Sequence, residues 1–454
     1  MKNLTKNLVQ YTGVTMLILI IQLSACKKFL DEKSDARLVV PSTQQDLQAL
    51  LDDYLRMNYT DIASVELSAD DYYYTSTDWN ALAVEPKALH VWQPENIYLP
   101  GANDWANPYK AIFVSNTVLE HIDKVEQQPL AEWNSIKGQA FYHRAKSYTV
   151  LLNAFAPAYH SATAATDLGL PIRATTNFNE PSARPPLAQN YETVIQDLAT
   201  AIPLLPTRPV HVMRPSKPAA YGLLARTLLF MQRYSEALKY ADSALAISNQ
   251  LLDFNTLNAN ATWPIAMFNV EVLMENRFSN TALANSRAKI DSNLQRSYAL
   301  NDLRRTVFFK NNNNGTYGFK GSYEGGSAFF SGIATDELYL IKAECLARNN
   351  DVAAAMETLN KLLIKRWKTA LFVPLTAANS NEALDIILQE RRKELLLRGL
   401  RWPDVKRLNK EGRNIGMTRR LNNLLYALPP NDPRFAIEIP GDIIQLTGMQ
   451  QNPR

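Results

Sequence analysis

The residues of this chain with the most reactive side chains are two cysteines, five histidines and 44 carboxylates. Cys26 has the most telling position. An apolar run from Val14 to Leu23 leads to two small residues, Ser24 and Ala25, and then to the thiol, with Lys27 and Lys28 directly behind it. The histidines (His90, His121, His143, His160 and His211) are scattered and have no HExxH spacing for zinc. There is no GxxxxGK[ST] phosphate loop and no GxSxG elbow. The glycines between 315 and 332 are spaced for flexibility, not for a dinucleotide. Asp70, Asp71 and Asp78 lack the spacing of an EF-hand loop and read as a solvated acidic turn. The carboxylate pair of a glycosidase follows no spacing rule, so spacing is silent on that chemistry. Nothing else supplies an acid–base partner, and the chain is expected not to be an enzyme and to hold no metal.

Lys2 and Lys6, the short apolar core and the small residues before Cys26 have the layout of a secretory signal. The core is about half of the ~20 residues a spanning helix needs. The quartet Leu23-Ser24-Ala25-Cys26 resembles the bacterial lipoprotein box. In proteins with that box the signal is cut before the cysteine, whose thiol and new amino group are then acylated. Residues 1–25 are therefore expected to be a lipoprotein signal peptide, and Cys26 the attachment point of a covalent lipid, the one non-protein group expected. Several acyl chains hold a protein at a membrane far better than one. The other reading is an ordinary secretory signal followed by a free cysteine. Cys345 falls in a helical pattern as a small core residue, and after acylation of Cys26 it has no disulfide partner.

Apolar content of 46% and charged content of 20% are those of a globular protein. The formal net charge is +4, two of which sit in the signal as Lys2 and Lys6. With no basic block, there is no electrostatic footprint for nucleic acid. No apolar run after Cys26 approaches ~18 residues.

The elements that must position any site are helical pairs. Residues 219–247, "AAYGLLARTLLFMQRYSEALKYADSALAI", place Ala225, Ala237 and Ala244 at the spacing of a tetratricopeptide pair. Only small residues let two helices cross so closely. Ala343 and Ala355 repeat the interval in a second copy from Asp336, with "RNND" as the turn and Asp351 as a cap. A third copy is split: a helix from Ile136 to Phe155, an excursion over 157–186, then "NYETVIQDLATAIPLLP". A fourth helical segment runs from Glu382 to about Arg398. A second insertion, 249–333, contains "NNNNGTYGFKGSYEGG", whose Asn and Gly crowding marks loops or a hairpin. Residues 44–56 and 109–125 read as helix, residues 60–105 as irregular and aromatic. From Leu428 the proline content reads as a strap over the body. The expectation is a mainly α fold: tetratricopeptide-like helix pairs with large irregular insertions. Residues 26–454 form one domain, with an N-terminal part 26–135 ahead of the pairs at 136–454.

At the fourth segment a family resemblance becomes specific. "ERRKELLLRGLRWPDVKR", residues 390–407, resembles the C-terminal signature of the SusD/RagB family of outer-membrane nutrient-uptake lipoproteins. "CKKFLDEKSDARLVVPSTQQDLQALLDD", "YHRAKSYTVLLNAFA", "DELYLIKAECLARNND" and the closing "LPPNDPRFAIEIPGDIIQLTGMQQNPR" resemble other family segments in the same order. Within the signature, Glu394 and Arg398 lie one turn apart and can pair, and Gly399 suits a left-handed cap. Trp402 can pack, Pro403 stops the helix, and Asp404 can meet Arg391.

The resemblance implies a non-catalytic subunit in the outer membrane, lipid-anchored and facing the cell exterior. Its partners would be a TonB-dependent, SusC-like transporter, whose mouth it closes, and an oligosaccharide or other small nutrient. Sugar rings present apolar C–H faces that stack on aromatic rings while polar groups fix their edges. The stretch 72–109 is dense in such rings. The candidates for ligand binding are Trp79, Tyr73, Trp92 and Trp105, with Asp78, Asn80 and Asn103 as polar partners, then Tyr317 and Tyr323. The alternative is a helical-repeat lipoprotein scaffold for envelope assembly, which would bury stretch 72–109 or turn it to protein.

Overall fold

The computed structural model describes residues 40–454 apart from 60 and 102, and residues 44–454 form one compact unit. Cys26 and residues 1–25, the expected signal peptide, lie outside the described residues. The longer helices are α1 (Gln44–Leu51), α2 (Ala106–His121), α3 (Leu130–Phe155), α4 (Leu187–Leu204), α5 (Lys217–Phe230), α6 (Tyr234–Ile247), α7 (Thr335–Arg348), α8 (Val352–Leu363), α9 (Ser380–Glu394) and α10 (Arg401–Lys410). Pairs α3–α4, α5–α6 and α7–α8 pack side by side, and each also packs on the next to form a continuous stack. This is the mainly α, tetratricopeptide-like scaffold, with the split first pair as expected. Ala225, Ala237, Ala244, Ala343 and Ala355 are all fully buried at the crossings, where a larger side chain would push the helices apart. Capping follows local chemistry. Ser216 accepts from the Ala219 amide to start α5, with Pro218 in the first turn, and Asp351 accepts from Ala354 to start α8.

Short antiparallel strand pairs lie outside the helical pairs, most of their strands in the second insertion. The strands are β1 (Tyr72–Tyr73), β2 (Val272–Met274), β3 (Arg277–Phe278), β4 (Lys289–Ile290), β5 (Phe309–Asn311), β6 (Tyr317–Phe319), β7 (Phe329–Phe330), β8 (Ile333–Ala334), β9 (Met417–Leu421) and β10 (Leu424–Leu428). They pair as β1–β4, β2–β8, β3–β7, β5–β6 and β9–β10. The Asn- and Gly-rich run at 311–326 does form a hairpin, β5–β6. The β9–β10 hairpin was not anticipated. Its signal was present: Asn422-Asn423, both with positive φ, joins two strands, and β9 alternates buried and exposed residues.

Three local expectations are corrected. Residues 44–56 are two helices, because Asp53 accepts from the Arg56 amide and starts a new turn over Tyr54–Met57. Pro403 does not end a helix. It lies in the first turn of α10, where a backbone N–H has no helical partner to lose. Glu394 and Arg398 do not pair. Leu397 and Gly399 both take positive φ after α9 ends, and this turns Arg398 toward Asp336 (2.5 Å). Glu394 bonds Arg304 (2.9 Å) and Arg366 (2.6 Å).

These contacts belong to a buried charge lattice. Arg304, with no exposed surface, also bonds Asp302 (2.7 Å) and Glu390 (2.6 Å), while Arg366 reaches Glu271 (2.7 Å). Arg407 joins Glu344 (2.6 Å) to Asp404 (2.8 Å), and Asp404 meets Arg391 (2.8 Å) as expected. Trp402 is fully buried against Phe435, and Gly399 donates to Glu66 (2.8 Å). The strap crosses the end of α3: Ile437 donates to the Ala154 carbonyl, and Asn452 to that of Phe155. Cys345 is buried, and burial pushes its thiol well above the usual range.

Candidate functional site

A shelf on the surface forms where β1, β4, the β5–β6 hairpin and the tip of β9–β10 meet. Thr75 caps the short helix Ser76–Asn80, which lifts Trp79 to the surface. Trp79 is half-buried. Its indole N–H donates to the Lys87 carbonyl (3.2 Å), the Lys87 ammonium stands 5.5 Å from its ring, and Tyr426 lies 6.2 Å away. Asn80 exchanges hydrogen bonds with Asn422 (2.9 and 3.3 Å), which ties the helix to the β9–β10 tip. Tyr73, half-exposed, sits opposite Lys289 in the β1–β4 pair. The Lys289 ammonium donates to Asp78 (2.7 Å) and to the Ser286 carbonyl (2.9 Å). Burial pushes the Asp78 carboxyl up, but Lys289 and the Thr75 hydroxyl outweigh it and hold it below its ordinary value.

Asn285, next to Ser286, lines a cleft of about 110 Å³ together with Trp263, Leu283 and Phe319. The hairpin can approach here only because residue 318 is glycine: a Cβ would stand 2.4 Å from the Asn285 carbonyl oxygen. The side chains of Asn285 and Arg287 and the indole N–H of Trp263 have no partner among the described residues. The shelf thus combines half-exposed rings with free polar groups. Trp263, Asn285, Arg287, Lys289 and Tyr426 were not foreseen. A tryptophan amid Asn and Thr in the second insertion was the only hint.

Not every expected ring is exposed. Trp92 is buried, donates to the Ser68 carbonyl (2.9 Å) and lies under Arg419. Trp105 is buried between Tyr109 (5.1 Å) and Phe155 (5.2 Å). Tyr323 is buried with its hydroxyl donating to Glu271 and standing 3.2 Å from Asp336. Asn103 is buried and accepts from Trp105 and Ala106 at the start of α2. For Trp92, Tyr323 and Asn103 a backbone or charged group inside the fold captures the polar atom, and Trp105 packs between two rings, so each serves packing. Tyr317 is half-buried and rests on Phe309 (6.4 Å), on the hairpin face away from Asn285.

The acidic turn is not solvated. Asp71 is buried against Arg392 (2.8 Å), and Asp70 bonds Arg401 (2.6 Å), whose guanidinium holds it well below the carboxylate range despite its burial. With Asp78 held by Lys289, the three carboxylates do not converge on one point. Among the described residues no group of three or more His, Cys, Asp or Glu side chains could hold a metal ion.

Three larger cavities lie elsewhere among the described residues, and in the one of about 290 Å³ Lys342 and Lys361 are already paired with Asp242 and Glu357. Another, about 360 Å³, has Lys406 on its wall, but that ammonium donates to the Asn153 and Ala156 carbonyls at the end of α3. The third, about 250 Å³, is walled by Trp105, Tyr109, Phe113 and Phe178. Its Asn116, Arg173 and Thr176 are already engaged with neighbouring protein groups. A sugar needs polar groups left free for its hydroxyls, so the smaller shelf site is the better candidate.

No helix among the described residues is long and apolar enough to cross a membrane. Residues 28–229 match a family model described as starch-binding associating with outer membrane, and residues 276–432 match the SusD family model. No curated protein sequence matches the chain. Among solved structures, it is similar to a SusD superfamily protein from Bacteroides thetaiotaomicron, with TM-score 0.74 and 22% identity over 91% of this chain and 100% of that one. A SusD superfamily protein from Bacteroides vulgatus matches with TM-score 0.72 and 20% identity over 91% and 99%. A laminarin-binding SusD-like protein matches with TM-score 0.66 and 16% identity over 91% and 100%. With the helical pairs, the buried signature and both family models in agreement, this chain belongs to the SusD/RagB family.

Proposed function

We propose that this protein is a non-catalytic glycan-binding subunit held at the cell surface by lipid on Cys26, and that it closes the mouth of a TonB-dependent, SusC-like outer-membrane transporter. The observation that carries the binding role is the shelf: half-exposed Trp79 and Tyr73 beside polar groups that no other described residue uses. The description of the family model and the laminarin-binding relative support a glycan as the ligand class. The lipoprotein box supports the anchor. The scaffold alternative expects stretch 72–109 to be buried or turned to protein, and the half-exposure of Trp79 and Tyr73 speaks against the first of these.

The test has two arms. Calorimetric titration with a glycan panel is expected to find a binder whose affinity falls about tenfold or more in Trp79→Ala. Purification from detergent-solubilised membranes is expected to bring down a large outer-membrane protein. Binding that ignores Trp79→Ala, or release of product from a bound glycan, would overturn the reading.

A further inference from the structure

The shelf carries more positive charge than a neutral sugar would require. Lys87, Arg287, Lys289 and Lys310 border it, and among the described residues only Lys289 of these has a carboxylate partner, Asp78. Lys310 lies opposite Gly318 in the β5–β6 pair. Opposite residues project to the same face of a pair, and Gly318 abuts Asn285, so Lys310 projects on the side of Asn285 and Arg287. Arg287 is exposed and near enough to Asp78 to help hold that carboxyl low. Below lies Arg419. It is buried, its Nε has no hydrogen-bond partner, and its guanidinium is held by the Ala69 carbonyl and the Trp92 ring, with no carboxylate in contact. The other acid at the rim, Glu85, turns to the Leu99 amide (3.0 Å). A buried cation that Asp70 and Asp291 reach only at a distance, under a rim whose Lys87, Arg287 and Lys310 have no carboxylate partner among the described residues, leaves a field that an anion would relieve.

We infer that the shelf takes an acidic glycan, in which a carboxylate or sulfate group meets Arg287 and Lys310 while a ring rests on Trp79. This rests on the shelf being the glycan site. Arg287 presents the planar fork that bonds such an oxyanion in two places at once. Lys289 is kept for the protein by Asp78, so Arg287 and Lys310 remain the free donors.

The mature protein is titrated with oligogalacturonate, a sulfated glycosaminoglycan fragment, laminarin oligomers and polyglutamate. An acidic glycan is expected to bind about tenfold or more tighter than laminarin in low salt, and the gap should shrink at high ionic strength. The double variant Arg287→Ala/Lys310→Ala should lose about tenfold for the acidic glycan and nothing for a neutral one. Laminarin binding equal to or tighter than the acidic glycans overturns the acidic class while the shelf stands. Polyglutamate binding as tightly as the glycans overturns it as well, since the field would then be unspecific. Acidic-glycan binding that survives both Trp79→Ala and the double variant shows that the shelf itself is the wrong place.

Discussion

Two regions of this molecule are rich in charge and use it in opposite ways. Around α9 and α10, Arg304, Arg366, Arg407 and Arg391 lie out of water and each bonds at least one carboxylate. At the shelf, Arg287 and Lys310 stand in solvent with none among the described residues. The difference follows from the cost of desolvation. An ion taken out of water must find an opposite charge, whereas an exposed one is stabilised by water until a ligand replaces it. The lattice charges therefore hold the fold, and the shelf charges are available for binding. The family signature is conspicuous as sequence, yet its acids and bases are those least free to react.

The comparison can be broken most sharply in the lattice. Arg304→Ala leaves Asp302, Glu390 and Glu394 close together in the interior, and a loss of about 3–5 kcal/mol in urea unfolding, or failure to fold, is expected. A loss under ~1 kcal/mol would show that water reaches these groups after all.

Acid tests the same region without mutation. Burial pushes the Glu344 carboxyl up, but Arg407 and Arg348 outweigh it and hold it at about 2, below its ordinary value. A carboxyl whose folded value is depressed contributes stability above its unfolded value, near 4.5, and loses it as pH falls toward 2. Urea midpoints should therefore drop through this window, and Glu344→Gln should flatten the drop while lowering stability at neutral pH. The smallest effect is expected at the shelf. Arg287→Ala makes no buried gap and breaks no pair, so its unfolding free energy should stay within ~0.5 kcal/mol of the parent. A larger loss would mean that Arg287 belongs with the structural charges.

Much of the scaffold was legible because it rests on local periodicity. Ala225, Ala237, Ala343 and Ala355 mark helix crossings through their spacing alone, and Asp351 marks a cap through its place after a turn. The aromatic stretch was legible only as a composition. Tyr72 and Tyr74 point inward while Tyr73, between them, points out, which alternation in a strand explains once β1 is known. Trp92 and Trp105 could not be told from Trp79 in advance, because each is buried by partners far away in sequence or by the route of the following helix. Likewise Glu394 and Arg398 suit each other as neighbours on a helix, but the turn after α9 separates them.

By itself, then, the order of residues determined the helical pairs, the places where they are interrupted and the small residues at their crossings. All of these depend on contacts within a few turns of chain. Only the tertiary structure decided which acids and bases pair, which rings face water and that Trp79, Lys289, Asn285 and Trp263 share one surface. Those outcomes depend on which distant segments meet, and desolvation then fixes the fate of each group: partnered where it is buried, left to water where it is not.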